Sequence, residues 1–257
     1  MDLGLRGKVA LITGGSRGIG RMTALRLADE GAAVAICGRT RDTLEHTLGE
    51  IRALGVPAHA VVADVTAPGE TERFVDESAA ALGGVDLLVA NVGGSVGGDL
   101  VDSSYEEWVT TFDITLFHAV RAVRAAVPHM SARGGGSAVI ISSISGWKPA
   151  PRAQYGAAKA AEIFLAGAFA WELAPRHIRV NTVSPGSTIF PGGGWERFRA
   201  RDPERFAEFE RREFPWGRLG SAEEIADVVT FILSDRAGWI NGANIPVDGA
   251  QGRPNAF

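Results

Sequence analysis

The chain carries a single cysteine, Cys37, in 257 residues. One thiol cannot close an intramolecular disulfide or build a zinc site by itself, so a reducing compartment is expected, the cytoplasm by default. The five histidines, His46, His59, His118, His129 and His177, lack the spacing of metal ligands and are read as residues that cap, pack or face solvent; no metal is expected. Uninterrupted apolar runs of about 18 residues, as a membrane-spanning helix needs, are missing. Met1 to Lys8 is short and mixed, without the apolar core of an export signal. Neither membrane insertion nor export is expected. Basic runs are also absent, and a formal net charge of -4 gives no general attraction to nucleic acid or to an anionic membrane surface. What the chain has is apolar material, 46% of its residues against 22% charged, enough to bury a core without disulfides or metals.

Short β-type runs at Val9–Thr13, Ala33–Cys37, His59–Ala63, Leu87–Ala90, Ala138–Ser142 and Arg179–Val183 alternate with segments of helical period. The helical segments cover about Gly18–Glu30, Arg41–Leu54, Gly69–Leu82, Tyr105–Arg133, Gln154–Pro175 and Ala222–Leu233. The runs are apolar on both faces, which suits parallel strands covered on two sides, because each parallel connection needs a crossover. No linker or repeat breaks the alternation, so residues 1–257 are read as one doubly wound α/β domain of Rossmann type. In the last of the helical segments Ser221 is read as N-cap, with Glu224 completing the cap. One connection, Gly186 to Gly220, is too long for a passive loop. Within it, residues 187–216 are expected to form a mobile substrate lid hinged at Gly192, Gly193 and Gly194, with Phe190, Trp195, Phe198, Phe206, Phe209, Phe214 and Trp216 as its apolar surface. A subunit contact is the other use those aromatics suggest.

The first strand runs into T-G-G-S-R-G-I-G, Thr13 to Gly20. Its glycines, Gly14, Gly18 and Gly20, follow G-x-x-x-G-x-G rather than G-x-G-x-x-G. They let the chain turn tightly, and let the backbone amides around Ser16, Arg17 and Ile19 approach a pyrophosphate at a helix N-terminus. After the second strand an acidic residue would bind the ribose 2′-hydroxyl of NAD. Here Gly38, Arg39, Thr40 and Arg41 follow instead. Arg39 can meet a 2′-phosphate with charge-assisted hydrogen bonds, Arg17 approaching from the glycine turn, so NADP is favoured over NAD.

With Asp64 after the third strand, Asn91-Val92-Gly93 after the fourth, Ser143, Tyr155-x-x-x-Lys159 and Pro185-Gly186, the ordered set resembles the single-domain short-chain dehydrogenases/reductases from about Leu5 to Gln251. The resemblance implies a seven-stranded sheet whose last strand lies near Asn244–Val247, a homotetramer or homodimer, and a carbonyl or alcohol substrate. It also implies that Asp64 and Val65 border the adenine, that Asn91 and Gly93 shape the cofactor cleft, and that Pro185, Gly186 and Thr188 form the wall near the nicotinamide. Carbonyl reduction puts a hydride on carbon and a proton on oxygen, and a free phenol with a pKa of about 10 transfers protons poorly at neutral pH. Lys159 follows Tyr155 by one helical turn, where its ammonium can stabilise the phenolate and reach the nicotinamide ribose. Ser143 can hydrogen-bond the substrate oxygen as charge develops. Its neighbour Ser142 competes for that role, and strand alternation together with family placement selects Ser143. Tyr105 and Tyr155 are the only tyrosines, and Lys8, Lys148 and Lys159 the only lysines, so the Y-x-x-x-K pairing is informative.

Three positions depart from the family pattern. Thr115 stands seven residues beyond Trp108, where an asparagine is usual and helps hold a water leading from the lysine; a hydroxyl cannot offer the same amide pair. Ala90 replaces a frequent asparagine, and Ala250 a frequent glycine. The expected function is an NADP-dependent ketoreductase or alcohol dehydrogenase of hydrophobic, acyl or ring-containing substrates. An NAD-dependent dehydrogenase of a sugar or small polyol is the second reading, and a dinucleotide-binding sensor without turnover the third.

Overall fold

A computed structural model describes residues 1–253; the last residues of the expected domain, 254–257, lie outside the described region. Seven parallel strands form one sheet: β1 Val9–Thr13, β2 Ala33–Gly38, β3 Ala58–Val62, β4 Leu87–Ala90, β5 Gly136–Ile141, β6 Ile178–Pro185 and β9 Asn244–Val247. Their order is β3-β2-β1-β4-β5-β6-β9, so the chain reverses its winding between β1 and β4, where ligands bind in open sheets of this kind.

Alternate residues of each strand feed opposite cores. Val9 and Leu11 pack with α3 (Glu70–Leu82), α5 (His118–Ala132) and α6 (Ala153–Leu173). Ala10 and Ile12 pack with α1 (Gly18–Asp29), α2 (Arg41–Ala53) and α9 (Ala222–Leu233). This is why the strands read as apolar throughout. Among the described residues no helix is long and apolar enough to cross a membrane.

Three expectations about elements need correction. The fifth strand ends at Ile141, not Ser142, because Ser143 turns the chain into a short 3-10 segment, Ile144–Gly146, and accepts the Ser145 N–H at its start. The long helix expected from Tyr105 to Arg133 is broken. It comprises α4 (Tyr105–Phe112), a π-helical turn over Asp113–Phe117, and α5. Such a turn inserts an extra residue and re-aims the side chains within it, and Thr115 sits there. The connection after β6 is structured as well: β7 (Thr188–Ile189) pairs in parallel with β8 (Gly220–Ser221), and α7 (Gly194–Arg201) and α8 (Pro203–Glu213) lie between them. Asp202 caps α8 by accepting the Arg205 N–H, with Pro203 in the first helical position. At the start of α9 the capping box of Ser221 and Glu224 is present as read from the sequence.

Candidate active site

The glycine turn occupies the β1–α1 corner at the switch point. Gly14 and Gly18 adopt φ of 66° and 55°, the left-handed region that glycine enters without penalty. A methyl group on Gly20 would overlap the Gly14 carbonyl and the Asn91 amide. Asn91 stitches the corner together, its Nδ2 donating to the carbonyls of Thr13 at 3.1 Å and Gly14 at 3.2 Å, while its own N–H donates to Thr13 Oγ1 at 3.0 Å. It thus ties the residue after β4 to the glycine turn. Gly18 begins α1, whose first amides and positive dipole end lie at this turn, an arrangement that fits a pyrophosphate.

Arg17 and Arg39 are both exposed, while Ile19 packs against the core beneath. Ser16 lies against Gly38, where a methyl would come 3.0 Å from its hydroxyl oxygen. The Asp64 carboxyl is held below its ordinary range, chiefly by the Thr66 hydroxyl and N–H and in smaller part by the positive charge of Arg39. Val65 is buried, and its carbonyl receives the Arg121 guanidinium at 2.9 Å. Pro185 ends β6, Gly186 packs on Asp248 and Gln251, and Thr188 donates to the Gly186 carbonyl at 3.1 Å. The start of the connection after β6 is thus tied to the C-terminal residues, the Ser187 N–H also donating to Gln251 Oε1 at 2.7 Å. Cys37 is buried at the core of β2, where burial pushes its thiol up to about 12, too high for a nucleophile at neutral pH.

The polar machinery gathers between β4, β5 and α6. Ser142 is buried and donates to the Lys159 carbonyl at 2.9 Å, which occupies it structurally. Ser143 is only partly buried, and its hydroxyl oxygen accepts the Ser145 N–H at 3.1 Å. Lys159 is 2% exposed, with Nζ 5.6 Å from the centre of the Tyr155 ring. The ammonium donates to the Ile141 carbonyl at 2.7 Å and to Glu162 Oε1 at 3.2 Å, with Oε2 of the same carboxylate at 3.0 Å. Gly93 is a glycine for a local reason, since a methyl there would lie 2.9 Å from Lys159 Nζ. Thr115 clasps the neighbouring residue: its hydroxyl donates to the Gly94 carbonyl at 2.8 Å and accepts the Gly94 N–H at 3.2 Å.

Sequence reasoning passed over Glu162 and Gln154 of this region, read His118 only as a residue that caps, packs or faces solvent, and gave Phe190 to the lid. Glu162, 1% exposed, is pushed up to about 7 by burial against the opposing pull of Lys159. Its signal was an acid three residues beyond Lys159 inside an otherwise apolar helix. His118 is fully buried and pushed down to about 3, first by burial and then by the charge of Lys159; its Nδ1 lies 2.9 Å from the Thr115 carbonyl, which fixes that nitrogen as the donor. Gln154 is buried and its amide nitrogen binds the carbonyls of Val96 and Gly98, tying the loop after β4 to the start of α6. Phe190 leans over the glycine turn, where a methyl on Gly18 would come 2.8 Å from the ring. The remaining aromatics after β6 mostly pack on one another, Phe206 and Phe214 buried with Leu219 and flanked by Trp195, Phe198 and Phe209, so they offer less free apolar surface than expected.

A glycine cradle at the switch point, beside a tyrosine and a buried lysine on one helix, defines an oxidoreductase site of Rossmann type. The family model described as enoyl-(acyl carrier protein) reductase matches residues 14–250. Dehydrogenase/reductase SDR family member 4 of Homo sapiens is 35% identical over 249 residues, covering 95% of this chain and 87% of that protein. Among solved structures, L-sorbose reductase from Gluconobacter frateurii, complexed with NADPH and L-sorbose, superposes with a TM-score of 0.93 at 31% identity, covering 99% of this chain and 100% of that one. A 7α-hydroxysteroid dehydrogenase complexed with NADH and 7-oxo glycochenodeoxycholic acid superposes at 0.89 with 29% identity, covering 96% and 95%. The chain belongs to the short-chain dehydrogenase/reductase family, oxidoreductases that act on alcohols and ketones.

Proposed function

We propose that this chain is an NADP-dependent ketoreductase or alcohol dehydrogenase, with Tyr155 transferring the proton and hydrophobic, acyl or ring-containing carbonyl compounds as its substrate class. The observation that carries this reading is the buried Lys159 ammonium, 5.6 Å from the Tyr155 ring, beside a glycine turn that only glycines can form.

The bound nicotinamide dinucleotide supplies or takes up the hydride. Gly14, Ser16, Gly18, Ile19 and Gly20 would hold its pyrophosphate, Asp64, Val65 and Asn91 its adenosine side, and Gly93, Pro185, Gly186 and Thr188 its nicotinamide side. Arg39 and Arg17 would pair with a 2′-phosphate, which is the argument for NADP; their exposure leaves both guanidiniums free for that contact. Tyr155 moves its hydroxyl proton to the substrate oxygen during reduction, or accepts it during oxidation. Lys159 stabilises the phenolate, and Ser143 donates to the same substrate oxygen. Residues 187–216 close over the substrate as a lid, with Phe190 at the base. Phe164 and Trp171, 76% and 85% exposed on α6, suit burial in a homodimer or homotetramer.

The test is turnover of a carbonyl panel with NADPH and NADH, with Tyr155→Phe as control. Loss of general acid–base catalysis typically costs about 10²-fold to 10⁴-fold. Turnover of sugars with NADH alone would select the second reading, and dinucleotide binding without turnover the sensor. Near-normal rates in Tyr155→Phe would remove the assignment of the proton donor.

A further inference from the structure

Glu162 is a carboxyl with nothing in the proposed reaction to explain it. It lies one turn beyond Lys159 on α6, and both side chains are at most 2% exposed. Removing two ions from water costs several kcal/mol for each, and apolar residues of similar volume often serve stability as well or better. The pair is therefore a poor device for stability alone. Its placement is specific: the ammonium it holds is the one beside Tyr155, wedged between the Ile141 carbonyl and the backbone of Gly93.

The groups around the pair are few. Ser142, just beyond the end of β5, faces the carboxyl and Lys159 lies on its own helix. From α5, His118 feels the Lys159 charge and is kept neutral, and Arg121 acts on His118 from the next turn while it pairs with Asp113 of the π turn. Among the described residues buried Glu162 Oε2 has no hydrogen-bond partner and only the Lys159 ammonium beside it at 3.0 Å, so half of the carboxyl is satisfied by that charge alone.

We propose that Glu162 is a positioning residue for proton transfer at Tyr155: its carboxyl anchors the Lys159 ammonium, and its charge sets how strongly that ammonium stabilises the Tyr155 phenolate. This rests on the reading of Tyr155 as proton donor. When the carboxyl is protonated, the ammonium acts on the phenol unshielded. When it is ionised, the ammonium is half neutralised and Tyr155 holds its proton more firmly. Because burial moves the Glu162 transition to about 7, the change falls in the neutral range. Relative to an uncharged side chain at this position, the ionised carboxyl favours the protonated phenol, the form that donates to a substrate oxygen in carbonyl reduction.

The experiment uses the fact that the chain has two tyrosines. Tyr105 is exposed at the start of α4, and Tyr105→Phe leaves Tyr155 as the single phenol. Its ionisation is then read by near-ultraviolet absorbance across an alkaline pH series, without cofactor or substrate. Adding Glu162→Gln preserves size and an acceptor for Lys159 but removes the charge, and the midpoint should fall by about one pH unit. Glu162→Asp, which keeps the charge, should restore the midpoint most of the way. Lys159→Met should raise it, since the group through which Glu162 acts is gone. An unchanged or higher midpoint in Glu162→Gln overturns the proposal, as does an unchanged midpoint in Lys159→Met should the glutamine variant fail to fold. Because the readout needs no turnover, a carbonyl panel that fails while the midpoints shift would count against the substrate class and not against Glu162.

Discussion

His118 makes an acid-sensitive core whose size can be worked out. The imidazole is fully buried, and its pKa falls from an ordinary 6.5 to about 3. A group depressed in the folded state contributes stability that is present above its unfolded pKa and lost as pH falls through the folded value. For these two pKa values, acidification from about pH 7 to about pH 5 removes about 2 kcal/mol, because the unfolded chain binds a proton that the folded chain refuses. Glu162 acts in the other direction. Its pKa is raised from 4.5 to about 7, so its contribution is fully present below the unfolded value and lost as pH rises through the folded one. Over the same interval it returns about 2 kcal/mol on acidification, and the two contributions nearly offset in the parent chain. His118→Asn keeps an N–H for the Thr115 carbonyl but cannot titrate. Relative to the parent, the variant should gain about 2 kcal/mol between about pH 7 and pH 5, read as the difference in urea unfolding free energies followed by tryptophan fluorescence. Surface carboxylates such as Glu50 and Glu224, held low by Arg21 and Arg218, are common to both chains and cancel. Identical pH dependence in parent and variant would refute the reasoning, and would mean that water reaches the imidazole.

The sheet was legible because its strands are apolar on both faces, and each half of the alternation meets its own layer of helices. The glycine turn was legible because its geometry admits no other residue at Gly20. Ser143 is preferred to Ser142 on alternation together with family placement; the strand ends before both, and it is the inward turn of Ser142 to the Lys159 carbonyl that separates the two. What stayed hidden depends on three-dimensional closure. Periodicity sees one helix from Tyr105 to Arg133, since a single extra residue in a π turn barely shifts the pattern, yet that turn brings Thr115 to Gly94. The Asp202-Pro203 start of α8 was a local signal, passed over because residues 187–216 read as a mobile lid. No local rule says that Glu162 is buried; its i+3 spacing from Lys159 would suit an exposed ion pair equally well. Burial changes that pair from a surface ornament into an electrostatic element of the site.

Other parts of the site are open to direct tests. Arg39→Asp should raise the KM for NADPH far more than that for NADH, because a carboxylate repels a 2′-phosphate and accepts from a 2′-hydroxyl; equal effects would leave Arg39 a surface residue. Lys148 binds Glu213 of α8 at 2.7 Å and the Gln251 carbonyl at 2.8 Å, so Lys148→Met should speed proteolysis within residues 187–216 several-fold, with protection restored by cofactor and substrate. Equal protection in the apo oligomer, with Trp195→Ala altering assembly and not KM, would show a subunit contact instead of a lid. Thr115 yields the finest distinction. A hydroxyl is both donor and acceptor, and here one oxygen serves both backbone groups of Gly94, so the loop after β4 is held without an amide. Thr115→Val deletes both bonds and leaves the partly buried backbone groups of Gly94 without that partner, which should cost about 1 kcal/mol and, by loosening Gly93 against Lys159, lower kcat. Thr115→Asn, which restores a donor and an acceptor, should retain most of both. Thermal unfolding and turnover read the two effects separately: a destabilised Thr115→Val with an unchanged kcat would confine Thr115 to the scaffold and place the proton route elsewhere.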